Sequence, residues 1–357
     1  MKICVYAICK NEEANVDAWV DSMSEADEIY VLDTGSNDNT VAKLLSKGVN
    51  VKSEIINPWR FDVARNKSLE LVPPDTDLYV CTDLDERFAK GWRKVLESNY
   101  SKEYTRVKYT YNWSFDENGR PATVFYLNKI HNKNYTWTHP VHEVLTALKD
   151  EKEIVIDKII LNHYQDYQKS RSNYLPLLEL SVKEDPEDDR NVHYLGREYM
   201  YYKMHDKCIE TLHRHLKLKK ATWKDERAAS MRYIARSYLE LGYEEEAYLW
   251  YALAIKEAPY LREAYVEMAY LLYGINKYDE AIENLDKALE IKNKSKSYIN
   301  ENYAWDYHVY DLYAICAYYL NKKDIAKQYN EIAISMNPND ERLINNQLFF
   351  DQNAMND

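Results

Sequence analysis

The stretch YVCTDLDERF, residues 79–88, runs an apolar segment straight into carboxylates. Leu78-Tyr79-Val80-Cys81 has the continuous apolar character of a short strand covered on both faces. Asp83, Asp85 and Glu86 follow almost side by side. Crowded carboxylates each resist ionising next to their neighbours, so the cluster needs a positive partner. An earlier D-x-D, Asp75-Thr76-Asp77, reads as a solvated turn; position separates the two copies. The second lies just past the carboxyl end of a buried strand, where open α/β sheets bind ligands. Carboxylates there suit Mg²⁺ or Mn²⁺, which prefer oxygen ligands, and such an ion would bridge to a diphosphate. The plainer reading of the same residues is an acidic loop capping the next helix.

Working outward, the first 165 residues alternate strand and helix. KICVYAI (2–8) is a buried strand; Val16, Trp19, Val20 and Met23 recur at the spacing of an amphipathic helix. EIYVL (28–32) is a second strand, and residues 37–48 a helix closed by Gly48. NVKSEII is a third strand, 60–71 a third helix and DLYVCT a fourth strand. This order predicts a parallel sheet with helices on both faces. In TRVKYTYNWSF the apolar positions Val107, Tyr109, Tyr111 and Trp113 alternate, which predicts a half-solvated antiparallel ribbon. ATVFYLNKI and KEIVIDKIIL continue as strands.

Near residue 190 the period changes. Ala235, Ala247 and Ala254 reappear 34 residues on as Ala269, Ala281 and Ala288, and 45 further on as Ala314, Ala326 and Ala333. Stepping back 39 residues gives Gly196, Cys208 and His215, the same frame with larger residues at two of three places. Small residues in a 34-residue unit are the tetratricopeptide signature of closely packed helix pairs. Pro259 and Pro338 end corresponding second helices, and KKATWKDER and NKSKSYINENYAW are insertions between repeats. Tyr238, Trp250, Tyr251 and Trp305 read as core fillers of this half. The expected organisation is a domain over 1–168, a helical linker over 169–189 and about four repeats over 190–357.

Composition narrows the function classes. The 357 residues carry a net charge of −12, which argues against nucleic acid as a partner. There is no run of about 18 apolar residues, so no transmembrane segment is expected, and MKICVYAICKNEE lacks a signal-peptide cleavage site. The five cysteines are scattered and none forms C-x-x-C, so neither a disulfide framework nor a zinc motif is suggested; a reduced, cytoplasmic chain is the expectation. With 34 tyrosines but 7 glycines and no G-x-G-x-x-G, phosphate would have to be met by something other than a glycine-rich loop.

Four polar clusters close the strands or open the following helix: YAICKNEEAN, VLDTGSNDNT, FDVARNKSLEL and CTDLDE. Together they resemble the nucleotide-sugar half of a GT-A glycosyltransferase of family 2, over about residues 1–90. The resemblance implies an α/β, Rossmann-like catalytic domain. It implies that Lys10, Asn11 and Glu12 line base and ribose, that Asp33 accepts a hydrogen bond from uracil, and that Arg65 meets ribose or phosphate. Asp83 and Asp85 would hold the metal and sugar. Where the family often has a paired Asp, this chain has Asp33-Thr34. Further along, Glu143 in WTHPVHEV takes the place of the general base and His163 in IILNHYQDY that of a further metal ligand; His139 and His142 are donor or acceptor contacts, or plain loop residues packed by Trp137 and Pro140. His142 or Asp166 stands next in line as base. The Q-x-x-R-W signature of processive synthases is absent, which argues against polymer synthesis.

Joined to repeats, such a domain is similar to bacterial transferases that modify bacteriocin peptides or surface proteins. The expectation is a metal-dependent (Mn²⁺ or Mg²⁺) inverting transfer from a nucleotide sugar, with UDP-glucose as the default, to a peptide or protein. Two alternatives stay open: a cell-surface saccharide as acceptor, or a non-catalytic tetratricopeptide binding protein. The repeats would recognise the acceptor or form a homodimer.

Overall fold

The computed structural model describes residues 1–116, 118–165 and 174–354. Asp166 lies outside them. The chain divides into two compact units, Met1–Glu184 and Asp185–Asp357.

The first unit opens with β1 (Ile3–Cys9), α1 (Val16–Met23), β2 (Glu28–Asp33), α2 (Thr40–Ser46), β3 (Asn50–Ser53), α3 (Phe61–Leu69) and β4 (Leu78–Cys81). β5 (Glu86–Phe88), α4 (Trp92–Asn99), β6 (Arg106–Phe115) and β7 (Pro121–His131) follow. β8 (Tyr135–Thr138), β9 (Val144–Ala147), β10 (Glu153–His163) and α5 (Tyr174–Glu184) complete it. Eight strands form one sheet in the order β3-β2-β1-β4-β7-β6-β10-β5, while β8 and β9 pair separately. β2 and β4 run parallel to β1, and β3 parallel to β2. β7 is antiparallel to β4 and β6, and β10 is again parallel to β6. The sheet is therefore mixed: the parallel half is as expected, and a reversed strand is inserted between β4 and β6. All parallel strands still point their carboxyl ends to one edge.

β1 shows why its residues form a central strand. Ile3, Cys4, Val5, Tyr6 and Ala7 are all fully buried, three facing one layer and two the other. The prediction for 105–115 needs correcting. β6 is not half-solvated but lies between β7 and β10, with both faces covered. Its polar face is buried because each group has a partner. Arg106 donates to the Asn128 carbonyl and to Glu151, Thr110 to the Asp157 carbonyl, and Asn112 to Asn162. Alternation separates two chemistries here, not core from water. Only Trp113, toward the strand's end, is exposed.

The second unit is all helical. Four helix pairs follow one another: α6 (Asp189–Tyr201) with α7 (His205–His215), α8 (Lys224–Glu240) with α9 (Glu244–Glu257), α10 (Arg262–Gly274) with α11 (Tyr278–Glu290), and α12 (Tyr307–Tyr319) with α13 (Lys323–Met336). α14 (Glu341–Ala354) packs on α13. All nine alanines of the repeating frame are fully buried. A second repeating feature lies in the turns. Lys203, Gly242, Asn276 and Asn321 all have positive φ, at 58°, 83°, 61° and 58°. Their spacings of 39, 34 and 45 residues are those of the alanine frame. Each ends a first helix in the left-handed conformation that glycine and asparagine reach at least cost. These are tetratricopeptide-type hairpins, and no helix of the described residues is long and apolar enough to cross a membrane.

Gly196, which stands where Ala235, Ala269 and Ala314 stand, is needed for its missing side chain. A Cβ there would fall 2.3 Å from Leu212 Cδ2 and 2.4 Å from its Cγ. Leu212 is fully buried and cannot swing aside. Alanine would gain about 1 kcal/mol of helix propensity, but overpacking costs about 1–3 kcal/mol, and a clash reaching Cγ belongs at the upper end. Gly196→Ala should therefore lower unfolding stability by about 1–2 kcal/mol, seen as a lower urea midpoint at unchanged slope. A variant as stable as the parent would show that Leu212 can repack.

Candidate functional site

Three parallel strands of the first unit deliver polar residues to one edge. β1 ends at Cys9, beside Asp33 at the end of β2. Lys10 and Asn11 are exposed just beyond, with Asn11 in the left-handed region at φ 55°. The Asn11 N–H donates to Ser36 Oγ at 2.8 Å, its side-chain oxygen accepts from Asn37 N–H, and Glu12 N–H donates to Thr40 Oγ1. The loops after β1 and β2 are thus laced together. Asp33 is 3% exposed and accepts from the N–H groups of Gly35 and Ser36, at 3.3 and 3.0 Å. It closes its own turn, which leaves further lone pairs on the same carboxylate.

The sequence from Asp83 to Glu86 is a tight turn: the Glu86 N–H donates to the Asp83 carbonyl at 3.0 Å, and the Asp83 N–H to Glu86 Oε2 at 2.9 Å. Leu84 belongs to the core, 1% exposed, while Asp83 and Asp85 are only half-buried. The positive partners are side chains. Arg65, on α3, donates to Asp83 Oδ1 at 2.6 Å and, through Nε, to Glu143 Oε1 at 2.9 Å. Lys129, on β7, reaches Asp83 Oδ2 at 3.3 Å and lies 3.7 Å from Glu86. Burial works against the charge of Asp83, yet Arg65 and Lys129 hold its carboxyl well below the usual range. Burial likewise works against the Lys129 charge, and Asp83 and Glu86 more than restore it. Glu86 is pushed up by burial and takes a hydrogen bond from the Tyr111 hydroxyl at 2.8 Å.

Asp85 has a different partner. β5 pairs antiparallel with β10 so that Glu86 faces His163, and the Tyr164 N–H donates to the Asp85 carbonyl at 2.8 Å. His163 Nε2 then lies 3.5 Å from Asp85 Oδ2, its Nδ1 lies 3.0 Å from the Trp113 carbonyl, and its ring stacks on Trp113 at 4.4 Å. Burial would lower the pKa of His163, but the hydrogen bond and charge of Asp85 raise it above the ordinary histidine value.

Glu143 reaches the same place from the loop between β8 and β9. Asn66, next to Arg65, clamps that hairpin: its side chain donates to the Trp137 carbonyl and accepts from the Trp137 N–H and the Thr136 hydroxyl. The Phe61 N–H donates to the Pro140 carbonyl at 2.9 Å. His139 and His142 flank the bend with positive φ, 75° and 50°, and His142 meets Tyr174 edge-on. The structure thus brings Arg65, Asp83 and Glu143 into one bonded group and Asp85 and His163 into a second, the two adjoining at the turn after β4. Lys10, Asn11, Glu12 and Asp33 lie on the neighbouring strand ends. Lys129 is the residue that sequence reasoning does not single out. Its one signal is a lysine near the end of a mostly apolar strand, ATVFYLNKI, where a cation partly withdrawn from water needs an anion.

The repeats hold a second candidate site. A cavity of about 630 Å³ is lined by Arg236, Tyr251, Glu267, Tyr270, Glu301 and Tyr303, among others. Glu267 accepts from Arg236 at 3.0 and 2.8 Å and is also bonded by Arg232 and the Tyr303 hydroxyl. Glu301 and Tyr303 come from the insertion between α11 and α12.

No protein-family description and no curated protein matches the chain. Solved structures of repeat proteins do. MamA is 17% identical, with 47% of this chain and 88% of that one covered, at a TM-score of 0.39. Pseudomonas aeruginosa pilF is 15% identical, with 50% and 72% covered, also at 0.39. YrrB, titled a TPR protein with an unusual peptide-binding site, is 13% identical, with 48% and 80% covered, at 0.37. At these scores the likenesses add nothing to the hairpin geometry, on which the repeat architecture rests.

The Asp85–His163 contact has a pH signature. A histidine whose folded pKa is raised contributes its full stabilisation below the unfolded value of about 6.5 and loses it as pH rises through the folded value. Asp85→Asn should therefore cost more thermal stability at about pH 5.5 than at about pH 9. Equal losses at both would mean that the pair carries no charge.

Proposed function

We propose that the first unit is a metal-dependent inverting GT-A glycosyltransferase of family 2, which moves a sugar from a nucleotide sugar of the UDP-glucose type to a peptide or protein. The observation that carries this reading is that Arg65 ties Asp83 to Glu143 while Asp85, two residues on in the same turn, meets His163. Asp85 and His163 offer an oxygen and a nitrogen 3.5 Å apart, a donor set that suits Mn²⁺. Both oxygens of Asp83 are engaged by Arg65 and Lys129, so Asp83 would share its remaining lone pairs. The ion would supply charge neutralisation to the departing diphosphate.

The chain's own residues do the rest. Lys10, Asn11, Glu12 and Asp33 would bind the nucleoside at the ends of β1 and β2. Arg65 is 3% exposed and engaged on both sides, so it positions Asp83 relative to Glu143. Glu143 takes the proton of the attacking hydroxyl or thiol. The new bond to the anomeric carbon forms as the bond to diphosphate breaks on the opposite face, which inverts the configuration. The cavity among the repeats, with its tyrosines and paired charges, is the proposed seat of the peptide.

A second reading makes the whole chain a peptide-binding protein. The same cavity favours it, as does the pairing of Asp83 and Glu143 with a buried arginine, which an inert core would also show. Turnover separates the two. With Mn²⁺, the parent should hydrolyse one nucleotide sugar of a panel, and Asp85→Asn, assayed near pH 8 where its fold is least affected, should lose that turnover. Glu143→Gln should still bind donor and metal but transfer about a hundredfold more slowly or worse. A parent that binds and cleaves no donor would sink the enzymatic reading and leave the binding one.

A further inference from the structure

In the first hairpin, His215 stands where the other three hairpins carry Ala254, Ala288 and Ala333. Alanine there is small and free of polar atoms; histidine brings two ring nitrogens into a fully buried position. It is not alone. His193 on α6, His215 on α7 and Glu226 on α8 are 0%, 0% and 4% exposed, and one ligand atom from each lies within 4.8 Å of the others. Ser230, one turn after Glu226, is also fully buried, and its hydroxyl lies 2.7 Å from His193 Nδ1 and 2.9 Å from His215 Nδ1.

One hydroxyl joins the Nδ1 atoms of both rings. A hydroxyl has two acceptor lone pairs. Where Ser230 accepts from both Nδ1–H groups, as ligation through Nε2 requires, each Nε2 carries a bare lone pair. His193 Nε2 is buried and makes no hydrogen bond, an unfavourable state for a polar atom, and His215 Nε2 has only Glu226 beside it. His215 Nε2 sits 3.3 Å from Glu226 Oε1. That is the separation of two ligands on one tetrahedral ion with bonds of about 2.0–2.1 Å. The second Glu226 oxygen accepts from the Tyr298 hydroxyl. Partner groups that orient metal ligands in this way are typical of metal sites.

We propose that His193, His215 and Glu226 form a structural site for a zinc-class divalent cation, bound through both Nε2 atoms and a Glu226 oxygen. Two imidazoles and one carboxylate suit Zn²⁺ and its transition-metal neighbours; Mg²⁺ and Ca²⁺ prefer oxygen alone. Arg197 and Arg232 lie near enough to His193 for their charge to act on its ring. Those arginines also oppose an added cation, and Glu226 supplies the countercharge. Structural zinc sites usually close all four positions with protein groups; here three are filled and the fourth would fall to water. The ion would tie α6, α7 and α8 together at the start of the stack, independently of any chemistry in the first unit.

The test uses the full chain carrying Asp85→Asn, which disables the metal site proposed above. After chelation and dialysis it is titrated with Co²⁺, followed by visible absorption, and then with Zn²⁺ in competition, with melting recorded alongside. We expect one equivalent bound, a tetrahedral-type Co²⁺ spectrum displaced by Zn²⁺, and a rise in melting temperature. His215→Ala, which restores the alanine of the other hairpins, should lose the spectrum and the metal-dependent rise while keeping the helical circular dichroism. Glu226→Gln should weaken binding at least tenfold and carries the test should His215→Ala unfold. No equivalent bound by the Asp85→Asn chain, or binding unchanged in the fully folded His215→Ala or Glu226→Gln chain, would overturn the site.

Discussion

The first unit depends on one buried cation. Arg65 lies between Asp83, at the turn after β4, and Glu143, in the loop after β8. Three segments far apart in the chain meet on one guanidinium, whose fork suits two carboxylates at once. Lys129, partly buried, adds a second positive charge against Asp83. Removing either carboxylate from Arg65, itself 3% exposed, would leave a buried charge less fully compensated and destabilise the unit. The acidic turn is therefore compensated from within, and the charged partner of Asp85 among the described residues is a titratable histidine.

That arrangement marks how far the sequence could be read. β1 and β4 were legible because a continuous apolar run of four to seven residues, bounded by polar ones, suits a buried strand and is too short for a buried helix. The helical repeats were legible from alanines at fixed spacing, a signal that packing geometry makes hard to imitate. β6 was read with the right period and the wrong environment. Its alternation of Arg106, Thr110 and Asn112 with tyrosines looks like a wet face, and only the partners Glu151, Asp157 and Asn162, distant in sequence, make it dry.

In the candidate site the residue types were visible and their pairing was not. Arg65 was expected against a ligand; the fold shows it bonded to Asp83 and Glu143, because Asn66 clamps the β8–β9 hairpin against α3. A side chain that fastens elements by accepting and donating to one backbone residue leaves no periodic trace. Lys129 escaped for a related reason: its meaning lies in Asp83 and Glu86, more than 40 residues away in the chain.

The recurring left-handed turn within each hairpin has a consequence for how this domain can change. Those turns are short and conformationally set, so they cannot absorb extra residues without spoiling the pair they close. Length varies instead between hairpins, over 216–223, 258–261 and 291–306. The longest of these connectors supplies Glu301 and Tyr303 to the cavity, and is pinned by Trp305 donating to Glu263 and lying beneath Arg262. The stack therefore behaves as a chassis with interchangeable fittings: a lineage can remodel what the cavity accepts by rewriting one connector, while the alanine frame that carries the load is left as it was.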